Sequence, residues 1–323
     1  MLIFKGIGQA IGSLFGVDPK PVDESWEERI NKALAAEREK IRPSREDMDI
    51  FSWVTGDNNP IHRLQRRAKE LGFNDIPVMG AHVAAYGEQF AERVVENMRE
   101  YWGADIRIIG QDTKFRAALY PTERTLWQVT GYRAPKEDEE GEEKEEIQLN
   151  ITGTVKDRRV VDITSRLGKE FPPMPQIAGP IPNASRRYLL LPEHLTEFDN
   201  CVGASGNGTI PHMLPAAYVP ATLLRLLEDR TQTMEGANFS MNFDFLGEAK
   251  PGRLQVDIFP PRSPKLQKRK DIDGGYLLDP LSGGAPIIEG YIYNFNAVVS
   301  QDSKPITYGT IRCSSPRRMD FST

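Results

Sequence analysis

The stretch 51–68, Phe-Ser-Trp-Val-Thr-Gly-Asp-Asn-Asn-Pro-Ile-His-Arg-Leu-Gln-Arg-Arg-Ala, places an acid, two amides, a proline and a histidine within six residues. Gly56 can take the positive φ that ends a helix. Pro60 fixes φ and removes one backbone donor, so the residues after Gly56 are predicted to form a rigid turn. Such a turn can point the carboxylate of Asp57 and the imidazole of His62 at one small target, such as a water molecule.

An acid and a histidine that share a water can take its proton and return it. This requires a site dry enough to tune the pKa values of the two groups. The alternative is structural, with His62 capping the following helix and Asp57 capping the turn. The two residues taken alone leave both interpretations open.

The complete string resembles the hydratase motif of the MaoC-like, R-specific enoyl-CoA hydratases. That motif runs from an aromatic and a small residue through Gly-Asp-x-Asn-Pro, an aliphatic residue and His to a second small residue. This sequence has Phe51, Thr55, Gly56, Asp57, Asn59, Pro60, Ile61, His62 and Ala68 in that spacing. The resemblance is clear for about residues 45–165 and weaker beyond them.

The resemblance implies that Asp57 and His62 are the catalytic pair, which binds and activates a water. It also implies that the backbone N–H of Gly80, at the start of a helix, receives the thioester oxygen. No cofactor and no metal is implied. The residues expected to shape the site are Asn59, Pro60, Met79, Val83 and Tyr86. Met79 departs from the family, which often has histidine there, and Ala85 lies about where some members carry serine.

The activity implied is that of a hydro-lyase, which hydrates trans-2-enoyl-CoA to (3R)-hydroxyacyl-CoA or catalyses the reverse dehydration. One alternative is a (3R)-hydroxyacyl-carrier-protein dehydratase of fatty-acid or polyketide synthesis. A second is a non-catalytic hot-dog subunit that binds acyl groups or serves assembly, and a hot-dog thioesterase is a weaker third. The expected partner is therefore an acyl-CoA or acyl-carrier-protein thioester.

The composition is that of a soluble globular chain of one large or two ordinary domains, with 323 residues and 39% hydrophobic content. The net charge of −5 comes from residues 136–146, KEDEEGEEKEE, which carry eight acids and two lysines. The rest of the chain is nearly neutral, so nothing favours nucleic acid as a partner. We interpret the acidic run as a solvated loop rather than a docking site.

The two cysteines, Cys201 and Cys313, lie far apart and form no metal-binding or disulfide pattern, which favours a reducing cytoplasm. Residues 1–21 can form a helix with one apolar face. They lack the long apolar region and cleavage site of a signal peptide, and no stretch is long enough for a membrane span. We expect this helix to pack on the body or on a partner subunit rather than on a membrane surface.

The order of elements favours an α+β fold, in which helix Trp26–Ile41 precedes the motif and a long helix runs from Ile76–Tyr86 to about Tyr101. Strands are predicted after it at Ile106–Ile109, Thr113–Ala118, Thr125–Tyr132, Ile147–Val155 and Val160–Arg166. A motif, a central helix rich in small residues and an antiparallel meander together resemble the hot-dog fold.

The chain then repeats itself after a proline-rich linker, since Ile210–Tyr218 echoes Ile76–Tyr86. Strands are predicted at Phe239–Phe245, Leu254–Phe259, Gly290–Val299 and Ile306–Cys313. The result is a double hot-dog, in which two curved antiparallel sheets, or one continuous sheet, each wrap a long central helix. The expected units are 1–171, the linker 172–184 and a degenerate second unit 185–323, in which His212 packs or caps. A homodimer is possible.

Two basic segments have two interpretations each. Arg63, Arg66, Arg67 and Lys69 follow the motif on a predicted helix, and five cations lie in the polar excursion 262–285. Both can be solvated surface. Both can also attract a phosphate-bearing acyl carrier, which a thioester site would favour.

Overall fold

The computed structural model describes residues 24–70, 73–133, 146–177, 181–203, 210–231, 237–259, 265–267 and 290–315. The predictions for the N-terminal helix 1–21 and for nearly all of the acidic run 136–146 therefore lie outside the described residues. So does most of the excursion 262–285. Within the described ranges, no helix is long and apolar enough to cross a membrane.

The first half, residues 24–177, carries five helices and five strands in the described ranges. The helices are α1 (Glu24–Ala36), α2 (Arg45–Thr55), α3 (Gln65–Glu70), α4 (Gly80–Asn97) and α5 (Arg99–Trp102), and a 3-10 turn spans Pro60–His62. The strands are β1 (Arg38–Ile41), β2 (Arg107–Phe115), β3 (Thr125–Arg133), β4 (Ile147–Val155) and β5 (Arg158–Gly168).

The second half, residues 181–315, carries two helices and six strands in the ranges that the structure describes. Its helices are α6 (Pro192–Val202) and α7 (Met213–Thr231). Its strands are β6 (Ala184–Leu190), β7 (Ala237–Phe245), β8 (Gly252–Phe259), β9 (Lys265–Gln267), β10 (Gly290–Gln301) and β11 (Lys304–Ser315). The division at residues 171 and 184 stays a prediction.

The eleven strands of the described residues belong to one antiparallel sheet, in the order β1-β3-β4-β5-β2-β7-β11-β10-β8-β6, with β9 beside β10. The two halves of this order mirror each other, since an edge strand, a three-stranded meander and a central strand occur in both. The halves meet where β2 pairs with β7, from Gly110 opposite Asp244 to Lys114 opposite Ser240. Of the two sheet arrangements expected from the sequence, the structure has the continuous one.

The two long helices occupy equivalent places in the halves. Helix α4 lies against β2, β4 and β5, whereas α7 lies against β6, β8, β10 and β11. Helices α4 and α7 also contact each other, and α2 packs on α6. Small residues on α4, such as Ala84 and Ala85, are fully buried, which permits close helix packing. The curvature of the sheet around each helix stays a prediction.

The structure corrects several predicted boundaries. The helix expected over Trp26–Ile41 ends at Ala36, because Arg38–Ile41 instead pairs with Thr125–Gln128 at the edge of the sheet. The two short strands expected at 106–109 and 113–118 are one strand, β2. Helix α6 and strand β6 were not predicted. Residues 172–177 form no helix or strand, and 178–180 lie outside the described residues.

Candidate active site

The turn that carries the motif is held at its start by helix α2. Ser44 and Asp47 form a capping box at the N-terminus of this helix, with each side chain bonded to the backbone N–H of the other residue. Gly56 ends the helix with φ of 74°, a conformation that glycine adopts without strain. The chain therefore leaves α2 in a defined direction just before Asp57.

Asp57 is buried, with 4% of its surface exposed, and the turn around it is closed by hydrogen bonds. Its Oδ1 accepts the backbone N–H of Asn59 at 3.2 Å, and Asn59 Oδ1 accepts the N–H of Ile61 at 3.3 Å. The Ser52 hydroxyl donates to the Asp57 carbonyl oxygen at 2.7 Å. Asn59 and Pro60 thus shape the turn by capping and starting the 3-10 segment.

His62 is partly buried and bound through one ring nitrogen. Its Nδ1 lies 2.8 Å from the carbonyl oxygen of Pro77. Because a carbonyl oxygen can only accept, Nδ1 carries the hydrogen, and in the neutral ring Nε2 carries a lone pair. The Pro77 contact therefore leaves Nε2 as the nitrogen that can accept a proton.

The pKa values of the pair are shifted by burial and by their mutual charge. Burial raises the pKa of Asp57 above 3.8, opposed by the charge of His62 and by the Asn59 N–H. Burial lowers the pKa of His62 below 6.5, opposed by the Asp57 charge and the Pro77 carbonyl. The two pKa values move towards each other, which favours the exchange of a proton through one shared water.

Gly80 is the first helical residue of α4, directly after the N-cap Met79. Its N–H has no acceptor within the helix and lies at the positive end of the helix dipole. A Cβ at Gly80 would lie 3.1 Å from Cζ of Phe115 and 3.5 Å from Cε of Met241. The backbone at this point is therefore approached closely by side chains of both halves of the chain.

The second half also contributes to the surroundings of Asp57. A Cβ at Gly56 would lie 3.9 Å from Cε1 of Tyr188 on β6. Burial chiefly raises the pKa of Tyr188, and the negative charge of Asp57 adds to the rise. The Tyr188 hydroxyl bonds to that of Thr222 on α7 at 2.9 Å. The ring of Tyr188 lies 4.6 Å from that of Tyr218. Strand β6 and helix α7 thus bring aromatic surface towards the turn.

The other residues predicted to shape the site, Met79, Val83 and Tyr86, lie at two places along the start of α4. Met79, the N-cap of α4, and Val83 in its first turn are both buried. Tyr86 lies one turn further on, and its hydroxyl donates to the carbonyl oxygen of Cys201 on α6 at 3.0 Å. Its ring stacks on His82, which stacks in turn on Phe51. The structure therefore brings Tyr86 to the contact between α4 and α6.

Sequence reasoning missed His82 and Glu88, since neither stands in a motif. His82 Nε2 also lies 3.1 Å from the Cys201 carbonyl oxygen, and burial lowers the pKa of this histidine to about 4. The sequence did contain a pattern that could have identified Glu88. A charged residue on the apolar face of a helix that begins Gly-Ala-His-Val-Ala-Ala-Tyr needs a buried partner.

The second half presents a different arrangement at the start of its long helix. The carboxylate of Glu88, from α4, accepts the N–H of Met213 at 2.9 Å. His212 packs as expected, with its ring 4.8 Å from that of Phe245, and burial lowers its pKa to about 4. Across the described ranges, no group of histidine, cysteine and acidic side chains is arranged to hold a metal.

Comparisons with solved structures place the chain among double hot-dog proteins. A protein described as a MaoC domain dehydratase, from Chloroflexus aurantiacus, has a TM-score of 0.59 at 8% identity, over 87% of this chain and 94% of its own. A conserved hypothetical protein from Mycobacterium tuberculosis with a double hotdog fold has a TM-score of 0.56 at 11% identity, over 85% and 93%. A MaoC-like dehydratase from Phytophthora capsici has 0.53 at 11%, over 88% and 97%.

No protein-family profile matches the sequence, and no curated protein matches it. At sequence identities of 8–11%, these structural comparisons establish similarity of fold and no more. The predicted double hot-dog is confirmed, and MaoC-like dehydratases are among its structural neighbours, as the resemblance of the motif implied.

Proposed function

We propose that this chain is a hydro-lyase that acts on acyl thioesters. It hydrates trans-2-enoyl thioesters to (3R)-3-hydroxyacyl thioesters, or dehydrates the latter, at a site made of Asp57, His62 and the N–H of Gly80. The support is the motif in the sequence, the geometry of the turn and the fold shared with MaoC-like dehydratases.

The reaction adds water across a carbon–carbon double bond that is conjugated to the thioester. Asp57 and Nε2 of His62 hold the water, and one of them takes its proton as the oxygen bonds to Cβ. The electron pair of the double bond moves towards Cα and the thioester oxygen, forming an enolate. The proton taken from water is then delivered to Cα, which closes the balance with no redox partner.

The helix N-terminus supplies the second requirement, which is stabilisation of the enolate. The N–H of Gly80 lies at the start of the eighteen-residue helix α4. A donor fixed in this position before the reaction stabilises negative charge as it develops, without reorganisation. Glycine at this position also lets the thioester approach the backbone closely.

The observation that carries the proposal is the contact of His62 with Pro77, three residues before Gly80. This one contact sets the tautomer that makes Nε2 a base, and it ties the catalytic turn to the segment that begins α4. A purely structural histidine would not need a buried carboxylate five residues earlier with a raised pKa.

The direct test is the hydration of crotonyl-CoA and of longer trans-2-enoyl-CoA substrates, with the configuration of the product determined by chiral chromatography. We expect (3R)-3-hydroxyacyl-CoA from the wild type and a rate at least about 100-fold lower from Asp57→Asn. Hydrolysis to free CoA would instead identify a thioesterase. Tight binding of acyl-CoA without turnover would favour the non-catalytic acyl-binding subunit.

A further inference from the structure

A surface groove with a volume of about 560 Å³ lies beside the catalytic turn and is lined largely by arginines. We call it the arginine groove. It contains Arg45, Arg63, Arg66 and Arg67, together with Leu64 and Asp75. The mechanism proposed above uses none of these side chains.

The groove is built by the same two segments that hold His62. Residues 63–67 follow His62 directly, and Ile76, which also lines the groove, precedes the Pro77 carbonyl that binds its ring. Arg63 additionally donates to Asn58 Oδ1 within the turn at 2.8 Å. A molecule seated in the groove is therefore adjacent to the catalytic turn.

The groove carries an excess of positive charge. Its four arginines face one lining acid, Asp75, which pairs with Arg45 at 3.0 Å. Glu70 nearby is shared between Arg66 and Arg67. The Arg66 side chain is 87% exposed, and exposed ion pairs of this kind contribute little stability. These guanidinium groups can exchange their partners for acids of another molecule at low cost.

An exposed leucine lies among these arginines. Leu64 is 55% exposed and occupies the position between His62 and helix α3. Charged rims around an apolar centre are the arrangement found where proteins dock on each other. A nucleotide bound in the groove would pair its phosphates with the arginines but would leave the isobutyl group of Leu64 exposed to water. A protein partner can bind both.

We infer that the arginine groove docks an acidic acyl carrier protein, whose thioester arm then reaches Asp57 and His62. This inference rests on the proposed function and specifies its substrate class. The groove and the partner have complementary charge, and Leu64 packs against an apolar side chain of the carrier. The arginines raise the rate of encounter and orient the carrier, so their effect falls with ionic strength.

The test compares three thioesters of one crotonyl group, carried by pantetheine, by CoA and by a purified type II acyl carrier protein. The readout is the ratio of kcat/KM for each carrier to kcat/KM for the pantetheine thioester. In the double variant Arg66→Glu/Arg67→Glu we expect the carrier-protein ratio to fall about 10-fold or more. The CoA ratio should change less than about twofold.

Two further variants make the comparison specific. Arg253→Glu/Lys304→Glu makes the same change in net charge on exposed residues of the second half, and it should leave all ratios unchanged. Arg66→Gln/Arg67→Gln removes the positive charges without placing new acids beside Glu70. The glutamine variant should lower the carrier-protein ratio. This result stands even if helix α3 proves to be destabilised in the Arg66→Glu/Arg67→Glu variant.

An unchanged carrier-protein ratio in the glutamine variant would overturn the inference. Equal losses for CoA and the carrier protein would also overturn it, since the groove would then bind phosphate alone. If the wild type hydrates none of the thioesters, the proposed function fails, and docking is tested by titrating the chain into fluorescently labelled crotonyl carrier protein. Saturable binding that Arg66→Glu/Arg67→Glu abolishes would support the groove, and absence of binding would refute it.

Discussion

The side-chain carboxyl group of Glu88 on α4 accepts the N–H of Met213 at the start of α7, with 2.9 Å between Oε2 and the nitrogen. The backbone N–H of His212 also binds this carboxyl group. The N-terminus of α7 is thus occupied by a side chain of the other half, whereas that of α4 begins with Gly80, which has no side chain. The starts of these two long helices therefore differ, because a carboxyl group binds at that of α7, whereas Gly80 places no side chain at that of α4.

Glu88→Gln is expected to be much less destabilising than Glu88→Ala. Burial, with a smaller effect of Glu92, raises the pKa of Glu88 well above 4.5, so the amide is close to the protonated native group. Alanine leaves buried N–H groups of α7 without an acceptor, at a cost of about 1–3 kcal/mol. Urea unfolding at pH 5 measures the difference.

The pH dependence of the same variants tests the sign of the shift. A folded-state pKa above the unfolded value stabilises the fold at low pH, and this contribution is lost as pH rises through the folded-state pKa. The wild type should therefore lose stability relative to Glu88→Gln between pH 5 and pH 8. A constant difference across that range would show that Glu88 is ionised throughout.

Loss of either catalytic group is expected to lower kcat by about 10²–10⁴ while the fold survives. We predict this for Asp57→Asn and His62→Ala. In the proposed mechanism both groups act on one water, so the double variant should be little worse than the poorer single variant. His194→Ala, a histidine at the edge of the exposed Trp53, is the matched control and should keep normal turnover. Near-normal kcat in either single variant would refute the mechanism.

Gly80→Ala and Gly80→Val test the oxyanion position. A new Cβ meets Phe115 at 3.1 Å, and the larger side chain of valine would obstruct the thioester as well. We expect kcat per folded molecule to fall by about 10²–10³ for valine, with alanine between it and the wild type. Steady-state kinetics together with thermal unfolding separate this from a loss of folded protein.

Gly87 on the same helix provides the control for Gly80. A Cβ there would lie 1.9 Å from Cδ1 of Ile163 in the core, so Gly87→Ala should lower the melting temperature. Its folded fraction should retain turnover. If Gly80→Val behaves in the same way, with a lower melting temperature and unchanged kcat, Gly80 is a packing residue only.

The pH profile of kcat/KM should show an acid limb below pH 6.5, where His62 takes up a proton. Burial lowers the pKa of His62 below 6.5 and raises that of Asp57 above 3.8, and the pair must give up a proton before it can accept one from water. Activity should thus be nearly constant from pH 6.5 to 7.5 and fall below that range. Circular dichroism over the same range checks that the chain remains folded. An inflection above pH 6.5 would contradict the assignment.

A fragment of residues 1–175 should be poorly soluble. It lacks β7, so residues Gly110–Lys114 of β2 would expose an unpaired sheet edge. It also lacks α7, which covers part of α4. Size-exclusion chromatography of the fragment beside the full chain measures this. A monomeric, fully active fragment would show that the second half is dispensable.

The sequence was sufficient for elements whose local signals are strong. Ser44, the acids after it and Gly56 define α2 from cap to cap, because these signals act within a few residues. The repeated Ala-Ala-Tyr at residues 84–86 and 216–218 predicted the second half for the same reason. Asp57 and His62 were singled out through the resemblance of the whole motif, which lies within one short stretch of the chain, and their catalytic role stays a prediction.

Other features depend on residues far apart in the chain, and local patterns could not reveal them. Arg38–Ile41 has the composition of a helix end, yet it is a strand, because the edge of β3 offers its backbone partners. Strand β6 pairs with β8 in the same way at the other edge.

The sequence by itself determined the motif and the repeat, and the resemblance of the motif implied the chemistry proposed for it. Only the tertiary structure decided which atoms surround that chemistry. The tautomer of His62 follows from the Pro77 carbonyl fifteen residues later, and Tyr188 comes from an edge strand of the other half. Glu88 lies 125 residues from the backbone N–H that it binds. Contacts across such separations form because the sheet is continuous from β2 to β7 and brings both helices against it, which no local pattern encodes.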